Sequence, residues 1–345
     1  MNRLVVPDLL KGLAAFFMVQ VHITELFMST SVQESLVGKI SMFLGGPFAA
    51  VVFMLVMGYF IALGKWGFWP GIVRSVKVFL LALLLNIGLN FNLFLKIFYQ
   101  EWQYNPLQYV FGVDILFLAS FSIFILATIK LSGKYQLVVA AILLIAIAVL
   151  SSFINPWVTN ESHGYLLPFV GGEYSWSYFP MFPWLIYPLA GFIFGKSEKR
   201  ILSFTEKYKK PTLLAIVAAL LFVVLYFKQG FSTTINLPLY YHHSGWYILW
   251  ALALTGLWIL GIRKLAAEIS ETASAKIIIR IGKNITAFYV VQWMIIGNLA
   301  TEIFGSQLLI AFPFWVAGIF TLSVLITFSY ERLMKLIKKP KQQTA

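Results

Sequence analysis

The chain has 345 residues, 60% of them hydrophobic and 11% charged, with a mean hydropathy of +0.84. Soluble domains run at about 45–50% apolar and about 25% charged, so this chain has too few charges to cover a water-soluble globule. It contains no cysteine, which excludes disulfides, thiolate metal sites, iron–sulfur clusters and thiol catalysis, and its net charge of +13 is better explained by membrane topology than by nucleic acid.

The apolar residues come in blocks of about 20 separated by short polar stretches, the pattern of membrane-spanning helices. The first block begins at Leu9. Asp8 and Lys11 interrupt what could pass for a signal sequence, and no small-residue cleavage pattern follows, so residues 9–28 read as a retained span. Further spans are expected at 44–64, 72–93, 107–128, 135–154, 178–195, 211–228, 245–262, 284–301 and 308–330. The fold class is therefore all-α: a polytopic membrane protein of about ten transmembrane helices in one bundle. One domain covers residues 1–345, with a short basic tail at about 332–345.

Charge placement orients this bundle. With the N-terminus inside, every Lys and Arg falls on an inner segment or in the tail except Lys39, Lys96 and Lys228. A missed or extra span would scramble that split, so both termini are expected to be cytoplasmic. The basic residues are then mostly topogenic, the surroundings are membrane lipid, and no nucleic-acid partner is expected. The expected location is the inner (cell) membrane of a bacterium. Two longer outer loops, about 155–177 and 229–244, are rich in aromatic and small polar residues and carry Glu161, His163, Glu173, His242 and His243. Aromatic loops of this kind suit sugar stacking and interfacial anchoring equally. The His242-His243 doublet lacks a carboxylate at ligand spacing, so no metal is expected. The two halves show no convincing repeat, which weighs mildly against an inverted-repeat transporter.

An ionisable side chain at mid-membrane costs roughly 2.5–3.5 kcal/mol, so each one calls for a partner or a task. The first span and its leading edge hold Asp8, Lys11, His22 and Glu25. At about 100° per residue all four fall within an arc of about 100°, which gives the helix one polar face looking into the bundle or a water-filled cavity. Asp8 and Lys11 can pair at i, i+3, and His22 and Glu25 share that spacing farther along. A histidine oriented by a carboxylate is a usable base or nucleophile near neutral pH, and a satisfied interior histidine is the plain alternative.

Other positions carry weaker signals. Asp114, inside the fourth span, needs a cation or a proton donor. Arg74 and Lys77, one turn apart, suit phosphates, although topogenic duty explains them as well. Tyr178-Phe179-Pro180-Met181-Phe182-Pro183-Trp184, followed by Pro188 and Gly191, breaks the sixth span and marks a cavity wall or a bent packing element. The ninth span carries Asn284, Thr286, Gln292 and Asn298, more polar side chains than packing requires.

The run Asp8-Leu9-Leu10-Lys11-Gly12-Leu13-Ala14 with His22 fourteen residues after the aspartate resembles the D-x-L-R-G-x-A opening of the transmembrane acyltransferase superfamily, shared with the acyltransferase type 3 O-acyltransferases. Ser177 to Trp184 with Pro188-Leu189-Ala190-Gly191 resembles the DYFPLxPWxxxxLxG segment of heparan-α-glucosaminide N-acetyltransferase-like proteins. Gly282-Lys283-Asn284 through Tyr289 to Gln292 resembles their late G-x-x-S-L-x-x-Y-x-x-H segment, and Gly45-Gly46-Pro47 through Met57-Gly58-Tyr59 their second span. Two departures stand out: Lys11 replaces the usual arginine and loses its bidentate geometry, and Gln292 replaces the late histidine.

The resemblance implies transfer of an acetyl or other acyl group from cytosolic acetyl-CoA or another acyl-CoA to a sugar or glycan acceptor across the membrane. His22 is then the catalytic histidine, as base or transient acyl carrier, with Glu25 orienting it and Asp8 and Asp114 completing the catalytic set. Lys11, Arg74, Lys77, Lys283 and Asn284 are the candidates for binding the cofactor. An amine acceptor follows from one branch of the resemblance and a hydroxyl from the other. The rival reading is a transporter or flippase of a sugar or lipid-linked substrate that uses the polar face of the first helix; a second is a non-catalytic subunit that keeps the fold. Small residues in the second span fit helix packing or a homo-oligomer, and fix neither.

Overall fold

The computed structural model describes residues 5–154 and 164–338. Asn160, Glu161 and His163 of the first long loop, Arg3, and the end of the basic tail lie outside the described residues. The described chain is all-helical, with two isolated bridges and no strand.

Its main helices are α1 (Val5–Leu26), α2 (Leu36–Leu63), α3 (Phe68–Leu89), α4 (Ile115–Lys130), α5 (Gln136–Ile154), α6 (Ile186–Lys207), α7 (Lys209–Leu225), α8 (Gly245–Ile269), α9 (Ala273–Lys283), α10 (Ile285–Ile303) and α11 (Phe312–Lys338). Among the described residues, six helical segments are long and apolar enough to cross a membrane: α1, α2, α3, Gly133–Ile154, α8 and Leu309–Ile337. The bent pair Met181–Lys207 and Lys209–Leu225, turned by 108° at Tyr208, brings the number to seven if it forms one broken span. Each of the ten expected spans overlaps a helix, including the shorter α4 and α10. Large apolar side chains such as Leu84 on α3, Ile142 on α5, Leu221 on α7 and Phe314 on α11 point outward. That outer surface suits lipid and not water.

α1 is the most enclosed of these helices and touches α2, α8, α9, α10 and α11. Its polar face is thereby kept inside the bundle. Glycines set two of the closest crossings. A Cβ on Gly12 or Gly282 would overlap the carbonyl oxygen of Ile278 or Asp8, so α1 and α9 meet backbone to backbone. In the same way Gly58 of α2 faces the Pro188 carbonyl of α6, and Gly191 faces that of Leu55. Within α2, Gly46–Val51 forms a wide π-helical turn around Pro47, whose carbonyl accepts from the buried Thr255 hydroxyl at 3.2 Å. Freed backbone groups at membrane depth need such a donor.

Hydroxyls and amides fasten the remaining helices. Ser75 of α3 and Ser120 of α4 exchange hydrogen bonds, each hydroxyl donating to the other residue's carbonyl, at 2.9 and 2.8 Å. Asn86 donates to the carbonyls of Val110 and Gly112 at 3.0 and 2.9 Å, and Asn298 of α10 donates to that of Gly88 at 2.8 Å. α9 was expected as an inner loop. Its amphipathic stretch instead folds as a helix against α1, with Arg280 paired to Glu331 of α11 at 2.7 Å.

Candidate active site

Two cavities among the described residues bear on the candidate site. The larger, about 560 Å³, lies at the end of the bundle where α1 finishes and is walled by α1, α10, the segment from Asn86 to Asp114, and the two aromatic loops. The smaller, about 330 Å³, lies toward the start of α1, between α1, α2, α3, α4 and α10.

His22 and Glu25, one helical turn apart on α1, both line the larger cavity and are half-buried. The expected pairing between them is absent among the described residues. His22 instead meets Gln292 of α10, with Nδ1 3.4 Å from Oε1, and its ring stacks on Trp293 at 4.0 Å between centres. The reason is geometric: side chains at i, i+3 share a face, but His22 takes its partner from the helix packed against that face. The Gln292 amide nitrogen lies 3.3 Å from the same Nδ1, so the tautomer sets the direction: an Nδ1 proton donated to Oε1 leaves Nε2 its lone pair, whereas the amide donating to Nδ1 leaves the ring proton on Nε2. Gln292 thus occupies the position of the late histidine and orients the first one.

Asp114 finds the proton donor it needs in Tyr289. It is the N-cap of α4, accepting from the Ile115 amide at 2.6 Å. The Tyr289 hydroxyl donates to the same carboxylate, 2.6 and 2.7 Å from its two oxygens. Tyr289, Gln292 and Trp293 lie at i, i+3 and i+4, so one face of α10 supplies the partners of Asp114 and His22 together.

The walls of the larger cavity are aromatic and amide-rich, with Trp102, Tyr104, Tyr178, Tyr241, Asn90 and Gln108 among them. Two carboxylates, Glu25 and Asp114, face it, and no Lys or Arg lines it among the described residues. Burial, with Glu25, Tyr178 and Asp114 in front of it, pushes the Tyr241 hydroxyl well above the ordinary phenol value and keeps it a neutral donor. At the rim Lys96 is already engaged by Glu302 at 3.1 Å and by Glu101 at 3.8 Å. Of the proline-rich segment, Tyr178 and Phe179 form cavity wall, while Trp184 and Tyr187 pack in the core, so both expected roles occur.

The smaller cavity has the opposite charge. Lys11 and Arg74 line it, and no carboxylate does among the described residues. Lys11 is paired with the buried Asp8 at 2.8 Å and lies 4.7 Å from the centre of the Phe60 ring. Trp66 lies below Arg74 and Lys130, whose charged ends are 6.0 and 3.9 Å from its ring centre. Lys130 was not anticipated, because at the end of a span it reads as topogenic.

The remaining candidates line neither cavity. Lys77 and Lys283 are exposed. Asn284 is spent on structure, donating to the Arg280 carbonyl at 3.0 Å and to Glu331 at 3.3 Å. Tyr289, Trp293 and Lys130 are the site residues that sequence reasoning missed. Only the tyrosine had a signal, as the Y of the late segment.

The described fold is thus a helical bundle with an apolar outer surface, holding a cationic cavity beside an acidic, aromatic one, with Ile115 and Tyr289 lining both. The sequence pattern of the acyltransferase type 3 domain matches residues 5–332, nearly the whole chain, and the chain belongs to that family. The match supports a membrane acyltransferase; it does not single out the heparan-α-glucosaminide N-acetyltransferase-like branch. No curated protein and no solved structure is similar enough to match.

Proposed function

We propose that the chain transfers an acetyl or other short acyl group from acyl-CoA, held at the smaller cavity, to a neutral or amine-bearing sugar in the larger one. The observation that carries this reading is that the cavities meet: Ile115 and Tyr289 line both. Lys11 and Arg74 supply cations for the phosphates of the donor, with Lys130 beside them on Trp66. The acidic, aromatic larger cavity favours an uncharged or cationic sugar, stacked on rings and bonded by amides, over a phosphorylated or carboxylated one.

In this mechanism His22 Nε2 takes the proton of the acceptor hydroxyl or amine as that atom attacks the thioester carbonyl. The C–S bond then breaks, and the CoA thiolate leaves with the proton from His22. A positioned general base of this kind contributes about 10²–10⁴-fold. Acylation of His22 itself is the other route, and an acyl-enzyme formed without acceptor distinguishes it. A lone electrostatic role for Glu25, holding an amine or a developing imidazolium, replaces its role as orienter.

The donor side is the cytoplasm on this reading. The bundle has ten spans with both termini inside, supported by the Lys and Arg distribution and by the helix that underlies each expected span. The host membrane is the inner membrane of a bacterium. The resemblance to heparan-α-glucosaminide N-acetyltransferase-like proteins keeps aminosugars in the acceptor panel.

The test is CoA release by the purified protein in lipid, wild type beside His22→Ala, with neutral, amine-bearing and anionic sugars. Wild type is expected to release CoA with a neutral or amine acceptor, and the variant to lose about 10²-fold or more. Movement of sugar without consumption of acyl-CoA would replace this reading with the transporter.

A further inference from the structure

The two cavities are separated at one place. Ile115 and Tyr289 are the residues they share, and Tyr289 is nearly fully buried between them. Its hydroxyl is tied to both oxygens of Asp114 at 2.6 and 2.7 Å, and Asp114 is itself fixed as the N-cap of α4 through the Ile115 amide. On its other side Trp293 lies edge-on, 6.5 Å between ring centres, and Trp293 stacks on His22. A ring so tethered on α4 and backed on α10 stands at the junction of the two cavities.

We infer that Tyr289, held by Asp114, is the partition that keeps water of the larger cavity away from a donor bound in the smaller one, and that it is a positioning residue rather than a catalytic one. This rests on the acyl-transfer reading for its consequence but not for its geometry. The reaction it suppresses is hydrolysis. Water oxygen bonds to the thioester carbonyl carbon, the C–S bond breaks, and CoA thiol leaves with one proton of the water while the acyl group departs as the free acid. The larger cavity reaches exposed residues such as Ser175 and Tyr104, so water has access to it. The donor cavity is the one that has to stay dry until an acceptor displaces that water.

The chain has no cysteine, which allows a test independent of catalysis. Ala119 lines the smaller cavity and Ser175 the larger. Ala119→Cys and Ser175→Cys are made singly in sealed vesicles and treated with a membrane-impermeant cationic methanethiosulfonate from the side that labels Ser175→Cys. With Tyr289 present Ala119→Cys is expected to resist labelling. Combined with Tyr289→Ala, which removes both the ring and its tether, it should react faster still than with Tyr289→Phe. Labelling of Ser175→Cys should not change. Tyr289→Phe keeps the ring and loses the tether, and serves where the alanine variant does not fold; an increase of about tenfold is expected, the factor carried by one hydrogen bond to a charged group. An unchanged Ala119→Cys rate in a folded variant, or fast labelling with Tyr289 in place, overturns the partition.

The same variants report the consequence. Acceptor-independent CoA release, relative to acyl transfer, should rise about tenfold in Tyr289→Ala. An unaltered ratio overturns the proposal, because a loss of packing alone would lower both rates together. A wild type that consumes no acyl-CoA would refute the acyl-transfer reading and leave the labelling result standing.

Discussion

Gln292→Leu tests whether the amide orients His22, the proposed base, or acts on substrate itself. The side chain is fully buried, and leucine fills most of its volume, so the perturbation is mainly the loss of one polar contact to His22 Nδ1 at 3.4 Å. A neutral hydrogen bond is worth about 1 ± 0.5 kcal/mol net, or about a fivefold effect. Stacking on Trp293 still holds the ring plane, so the loss of orientation is partial. The expected result is a kcat lower by about 2–13-fold, well short of the 10²–10⁴-fold range of a missing general base. The donor KM should stay near wild type, because Lys11 and Arg74 belong to the other cavity. Both constants come from CoA release in lipid at varied acyl-CoA. A variant as inactive as His22→Ala would refute the orienting role and place Gln292 against the substrate; a fully active one would show that His22 needs no partner there.

Two further predictions concern the scaffold. Gly191→Val drives a side chain onto the Leu55 carbonyl where α2 and α6 cross, an overpacking cost of about 1–3 kcal/mol or more, visible as a lower thermal midpoint in detergent. A midpoint equal to wild type would mean that the crossing relaxes freely. His243, outside the spans, has both ring nitrogens engaged: Nε2 lies 2.8 Å from the Tyr187 hydroxyl and Nδ1 2.7 Å from the Tyr240 carbonyl, with Tyr247 and His242 also beside it. Burial lowers its pKa from 6.5 to about 3. Between those values the unfolded chain carries the extra proton, so stability falls as pH drops, by about 2 kcal/mol at pH 5. The neighbouring His242, lowered by burial to about 4, steepens the same limb. His243→Phe should be less stable at neutral pH and show a shallower fall between pH 7 and pH 5; an unchanged slope would remove His243 as its cause.

Much of the scaffold was legible because lipid imposes length and polarity on helices. Each apolar block became a helix at the expected place, and the polar face of α1 turned inward as the positions of Asp8, Lys11, His22 and Glu25 required. α9 escaped notice because its apolar residues are interleaved with Lys276, Arg280 and Lys283, which read as an inner loop. Its glycine contact with Asp8 is a long-range fact that no local pattern carries. The pairings at the site were hidden for the same reason. His22 and Gln292 are 270 residues apart, and Asp114 and Tyr289 are 175. Spacing along α1 could place His22 and Glu25 on one face, but only the docking of α10 decides which of them is bonded.

α10 is therefore the element on which the site depends most, although at 19 residues it is long enough to span and falls short only of the hydropathy of a clear span. Tyr289 partitions the cavities, Gln292 orients His22, and Trp293 backs both. Farther along, Asn298 ties α10 to α3 and to the following segment by accepting from the Asn92 amide at 3.0 Å and donating to the Gly88 carbonyl. A rigid shift of α10 would move the proton acceptor and the partition together. The coupling has a chemical use: an acceptor that fills the larger cavity touches the same helix that shields the donor. Displacing water from His22 and opening the way past Tyr289 then become one event rather than two. On the proposed acyl-transfer reading, selectivity for transfer over hydrolysis follows from that linkage.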